Sequence, residues 1–148
     1  MSALGNSIKV VLADTFGMML NSLTMHWNVE GPDFYELHKL FGDIYTELFE
    51  AVDDVAEHIR ALDEYAPGSY TRFKELTTVE EETKIATASG MVERLLVTND
   101  AVIASLKLAV EQAKLANDEG NINFLGGRLE IHAKHGWMLR ATTKKQRA

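Results

Sequence analysis

Cysteine is absent from the 148 residues. That excludes disulfides, thiolate nucleophiles and sulfur-ligated zinc or iron–sulfur centres. Any metal site must be built from His, Asp and Glu. Proline is scarce: Pro32 and Pro67 are the only two, so helices can run long without a forced break. No apolar run approaches membrane-spanning length. The N-terminus lacks the basic and then apolar pattern of a signal peptide, so a cytoplasmic protein is expected. Basic charge is also short. Lys and Arg number 15 against 22 Asp and Glu, a net charge of −7, which argues against a whole-surface nucleic-acid binder. Strand-like alternation, internal repeats and low-complexity linkers are missing as well.

What remains is a globular composition, 46% apolar and 25% charged, long enough for one domain with a substantial core. The expected domain is residues 1–148, with a bundle over about 6–142 and a basic tail over 143–148. Apolar residues follow helical spacing. Ile8, Leu12, Met19 and Leu23 form one stripe in a first helix, and His26 continues it. Asn6 is the expected cap, and the helix should stop near Gly31-Pro32. Asp33 with Glu36 forms a capping-box pattern for a second helix ending near Tyr65, where "APG" follows. "SYTRFKEL" (69–76) predicts a short helix with Phe73 inward. Thr78 with Glu81 predicts the start of a third long helix reaching about Ala116. "NDEGN" (117–121) is a turn, and a fourth helix runs to about Ala141. Two antiparallel hairpins joined by a longer connection make an all-α, ferritin-like four-helix bundle with a short extra helix in that connection.

Histidine is also scarce, with five in the chain, yet two of them bracket the first turn in "HWNVEGPDFYELH" (26–38). His26 lies about one turn before the break and His38 about one turn after it, so antiparallel helices place them at a similar level. The second helix is acidic, and Asp53 and Glu57 share a face at i, i+4. Fifteen residues separate His38 from Asp53, roughly 22 Å along a helix axis. No ion can reach both within one chain. Two copies of the helix packed antiparallel about a twofold axis would bring His38 of one chain near Asp53 and Glu57 of the other, and symmetry would make two such sites. Imidazole and carboxylate ligands suit iron, zinc or manganese. Glu-x-x-His, the pair used inside ferritin bundles, occurs nowhere in the sequence. Spacing alone leaves the plainer alternative open: structural histidines and a solvated acidic face.

"HWNVEGPDFYELH", followed by "DDVAEHI" (53–59) and "HGWMLRA" (135–141), resembles the Dps family of miniferritins, the DNA-binding proteins from starved cells. The resemblance covers roughly residues 5–142. It implies hollow twelve-subunit shells that bind Fe(II) between twofold-related subunits. They oxidise it as ferroxidases, preferably with hydrogen peroxide, and store ferric mineral, protecting against oxidative stress. It implies that His26 and His38 are ligands from one subunit, with Asp53 and Glu57 from its partner. Trp27 resembles the family's tryptophan beside the iron site; packing is its plainer role. Threefold pores in the family lie near the third-to-fourth-helix turn, which points to Asp118 and Glu119 here, or else to a polar turn.

One departure from the family pattern stands out. The aspartate expected four residues after the second histidine is replaced by Gly42, and Asp43, the nearest acid, is turned about 100° away. A surviving site with a weaker second metal position is expected. His132 and His135 form His-x-x-His, for which a structural role is expected. The basic tail, with Lys144, Lys145 and Arg147, predicts at most weak, salt-dependent DNA binding with nucleoid association. A DNA-condensing shell with a weakened metal site is the alternative function.

Overall fold

The computed structural model describes residues 2–145. It contains five helices and, among the described residues, no strand: α1 (Ala3–Asn28), α2 (Phe34–Ala61), α3 (Tyr70–Leu76), α4 (Ala88–Leu115) and α5 (Glu119–Thr142). The reason for α2 is plain in its buried residues. Leu37, Phe41, Ile44, Leu48, Ala51, Val55 and Ile59 step by three or four, making one apolar stripe. Helix α1 packs on α2, α3 and α4, and α4 packs on α5. Side chains of α5 reach α2 through Arg128 and Glu47. Four long helices with one long crossover between α2 and α4 form the expected bundle. No described helix is long and apolar enough to cross a membrane.

Helix starts differ from expectation in instructive ways. Ser2, not Asn6, caps α1, its hydroxyl accepting from the Gly5 N–H. Asp33 stands at the cap position of α2 but makes no side-chain cap bond. Helix α2 ends at Ala61 rather than Tyr65, and Asp63 takes a left-handed backbone at φ 62° just beyond it. Helix α3 forms as expected, with Phe73 stacked on Phe16 at 4.6 Å.

The largest difference is the start of α4, nine residues later than expected, at Ala88 with Thr87 as cap. Thr78 caps no helix; its N–H and hydroxyl donate to Asp14 instead. Asp14 is fully buried. It accepts from the Thr77 hydroxyl at 2.7 Å, from the Thr78 N–H at 2.6 Å and from the Thr78 hydroxyl at 2.7 Å. The Ser105 hydroxyl donates to it as well. A buried carboxylate needs such donors, and here they pin the crossover to α1 and α4.

A candidate metal centre at the first turn

Gly31, at φ +114°, supplies the left-handed turn that glycine tolerates best. The Phe34 N–H returns to its carbonyl at 3.0 Å. This folds the end of α1 against the start of α2 and brings His26 to His38. The two imidazoles stack, with centroids 3.9 Å apart and planes 12° from parallel, and Phe34 stacks on His38 at 5.1 Å.

Their hydrogen bonds are reciprocal. His26 Nδ1 donates to the His38 carbonyl at 2.6 Å, and His38 Nδ1 donates to the His26 carbonyl at 2.6 Å. A carbonyl can only accept, so in the neutral rings both protons lie on Nδ1 and both Nε2 atoms keep a lone pair. That is how metal-ligating histidines are oriented by outer partners. Both rings are half-buried and line one open surface depression with Tyr35, Gly42 and Asp43. Trp27 follows His26 in sequence and is 67% exposed, so packing within this chain does not account for it. Asp43 is exposed and paired to Lys39 at 3.2 Å.

Asp53 and Glu57 are exposed on α2. A hydrogen bond with Asp53, and the charge of that carboxylate, hold the Glu57 carboxyl above its usual range. A nearby cation would relieve such a like-charge pair. The chain thus joins His26 to His38 and Asp53 to Glu57, but does not join the two pairs. No group of three or more His, Asp or Glu among the described residues could hold a metal ion.

His132 and His135 belong to a different arrangement. The inward stripe of α5 runs Leu125, Arg128, His132, His135, Leu139, so its middle is polar. Arg128 is paired with Glu47 through both of its terminal nitrogens, one bond measuring 3.0 Å. It also donates to His132 Nε2 at 3.2 Å. His132 Nδ1 donates to the Asn99 side chain at 2.8 Å, and His135 Nε2 donates to Glu47 at 2.8 Å. Burial, then the charges of Arg128 and His135, push His132 down to about 3. Burial would raise Glu47, but hydrogen bonds from His135 and Arg128 and their charges bring it down to about 2. The sequence reading missed Glu47, Arg128 and Asn99. The signal available was the i, i+4, i+7 spacing of Arg128, His132 and His135 on an otherwise apolar stripe.

Asp118 caps α5, accepting from the Asn121 N–H at 3.0 Å and side chain at 2.8 Å, bonds that lower its carboxyl below the usual range. Glu119 is exposed beside it. Lys144 and Lys145 are exposed beyond α5, and Arg147 lies outside the described residues.

Comparison with known proteins agrees with this fold. The ferritin-like domain family matches residues 6–148. DNA protection during starvation protein 2 of Bacillus anthracis is 34% identical over 116 residues, covering 78% of this chain and 80% of that protein. The Dps structure from Thermosynechococcus elongatus superposes with a TM-score of 0.93 at 26% identity, covering 97% and 91% of the two chains. The Dps protein of Vibrio cholerae O1, described as a member of a broad superfamily of ferritin-like diiron-carboxylate proteins, superposes with a TM-score of 0.91 at 27% identity, covering 95% and 89%. With its fold and these relatives in agreement, the chain belongs to the Dps family of miniferritins, within the ferritin-like fold.

Proposed function

We propose that this protein oxidises Fe(II) at sites shared between twofold-related copies and stores the ferric product inside a hollow shell, a dodecamer by family likeness. Iron storage and stress protection are the general role of the family. His26 and His38 would come from one chain, and Asp53 and Glu57 from its partner. The observation that carries this reading is the reciprocal pair of Nδ1–carbonyl bonds, which leaves two imidazole Nε2 atoms as ligands at an open surface. The acidic pair lies on the same helix, roughly 22 Å away, where only a second copy can complete the set.

Iron is the substrate. Imidazole and carboxylate together accept Fe(II), and carboxylates favour the harder Fe(III) that forms. Two Fe(II) ions each give one electron to one hydrogen peroxide, whose O–O bond breaks. With two waters taken up, two FeOOH form and four protons are released. No hydroxyl radical is liberated when both electrons are delivered together. Zinc and manganese fit the same donors and would compete. Asp118 and Glu119 would draw cations toward an entry pore, Asp118 while also capping α5.

Mixing the purified protein with Fe(II) and peroxide should give a soluble brown species of large native mass. A precipitate of ferric hydroxide with a small apoprotein would refute the reading. DNA binding through Lys144, Lys145 and Arg147 would be weak and steeply salt-dependent, because the rest of the shell is acidic. Deleting residues 143–148 should abolish any gel shift at low salt. Undiminished binding would place the contact elsewhere.

A further inference from the structure

Gly42 replaces the family's expected carboxylate, and its place in the structure gives that absence a purpose. A Cβ built there would lie 2.8 Å from both Cε1 and Nδ1 of His26. Gly42 is in the interior of α2, where glycine is less favourable than alanine. Among the described residues Gly31 is the glycine with a left-handed backbone, so Gly42 is not needed for its φ. What it supplies is space for close approach.

The atom that would collide is the one that matters. His26 Nδ1 donates to the His38 carbonyl at 2.6 Å, one turn before Gly42 on the same helix. Moving the ring off a methyl group to an ordinary contact of at least 3.4 Å would lengthen or misalign that bond. We infer that Gly42 is a positioning residue: it seats the His26 imidazole against α2, and through the Nδ1–carbonyl bond it sets the tautomer and the aim of Nε2. This inference rests on the shared-site reading for its functional meaning, but its geometry concerns one chain alone.

The consequence reverses the simple expectation from the family pattern. An aspartate at 42 does not add a ligand to an otherwise unchanged site. It displaces His26. The chain has a close-seated imidazole where the pattern has a carboxylate, and Gly42→Asp should weaken metal binding rather than restore it.

Two measurements separate this inference from the shared-site reading. The first is nitrogen-15 NMR of the metal-free full-length protein with labelled histidine, at a pH where the rings are neutral. The His26 signal, identified by its loss in His26→Ala, should report a proton on Nδ1 in the wild type. In Gly42→Ala it should move toward the Nε2–H form of an unconstrained imidazole. A wild-type His26 protonated on Nε2, or an unchanged signal in Gly42→Ala, overturns the role of Gly42. The wild-type arm can overturn the inference by itself, even if a variant folds poorly, and the Co(II) titration then tests Gly42. The second is Co(II) titration of the assembled protein, followed by its visible absorption. Gly42→Ala and Gly42→Asp should each bind Co(II) about 10- to 100-fold more weakly, the usual cost of losing an outer partner. Wild-type affinity in both would overturn the inference while leaving the shared site intact. Wild-type affinity in His26→Ala and His38→Ala would instead overturn the shared-site reading, with the NMR result still deciding Gly42.

Discussion

Two pairs of histidines share this small bundle, and they differ in what their nitrogens do. His132 and His135 lie in the interior, with His132 bonded through both ring nitrogens and His135 bonded to Glu47. Arg128 stands among them as a permanent cation. Among the described residues His26 and His38 hydrogen-bond through Nδ1, and both rings line an open depression. By sequence motif, His-x-x-His is the better metal signature of the two. By hydrogen bonding it is the worse, because both nitrogens of His132 and the carboxylate of Glu47 are already engaged. A ligand site is marked by the nitrogen that remains unpaired, with its partner nitrogen oriented. In ferritin bundles the interior holds metal through Glu and Glu-x-x-His. Here Arg128, paired with Glu47, stands in the interior instead, and the proposed metal site lies at the surface.

Breaking the interior pair should have the largest effect. Arg128→Ala leaves Glu47 partly buried with His135 but without its permanent cation, at a cost of up to about 3–5 kcal/mol. Thermal or urea unfolding would measure it, and the surviving folded protein should oxidise iron at the wild-type rate per site. The surface pair should behave in the opposite way. Alanine at His26, His38, Asp53 or Glu57 should slow peroxide-driven oxidation by at least about 100-fold, the upper cost of losing even an outer partner, with little change in unfolding. Stopped-flow absorbance of ferric product would report the rate, and unchanged rates in all four variants would refute the assignment.

Acid sharpens the contrast. Glu47, at about 2 in the folded chain against an ordinary 4.5, contributes stability above pH 4.5 that is lost as pH falls toward 2. His132, at about 3 against 6.5, stays neutral while the unfolded chain takes up a proton, so folding loses ground from pH 6.5 down to 3. Both act in one direction, and Tm should fall steadily from pH 7 to pH 4. Glu64 is also drawn down to about 2, by hydrogen bonds from Ser2 and Lys9. The difference between wild type and Glu47→Gln is therefore the diagnostic. It should be largest at pH 7, shrink as pH falls below 4.5, and be nearly gone only below pH 2. The smallest effect belongs to Asp43. Its exposed pair with Lys39 is worth about 0–1 kcal/mol, and Asp43→Ala should change Co(II) affinity less than about twofold. A larger loss would make Asp43 a ligand.

Much of this was legible before any coordinates. The stripe of α1, the Gly31-Pro32 break and the short helix α3 follow from local spacing and turn chemistry, which act within a few residues. The nearness of His26 and His38 follows from the same local rules. What escaped was set by contacts distant in sequence. Thr78 reads as a helix cap until Asp14, far away on α1, claims its hydroxyl and N–H. Glu47 reads as one acid of many until Arg128 and His135 arrive from α5. Gly42 reads as a missing ligand until the His26 ring is found resting on it. Local pattern states what a residue can do, and packing decides which of its partners it meets.

The division of the metal site between chains is most directly tested by mixing two inactive proteins. One carries His26→Ala and His38→Ala; the other carries Asp53→Ala and Glu57→Ala. If the ligands come from two chains, each mixed twofold pair contains one site with all four ligands intact. Random co-assembly by unfolding and refolding together should then restore about one quarter of the wild-type ferroxidase rate, since half the pairs are mixed and each holds one good site of two. If all four ligands served within one chain, no combination of the two proteins would contain a complete site, and the mixture would stay as inactive as its parts.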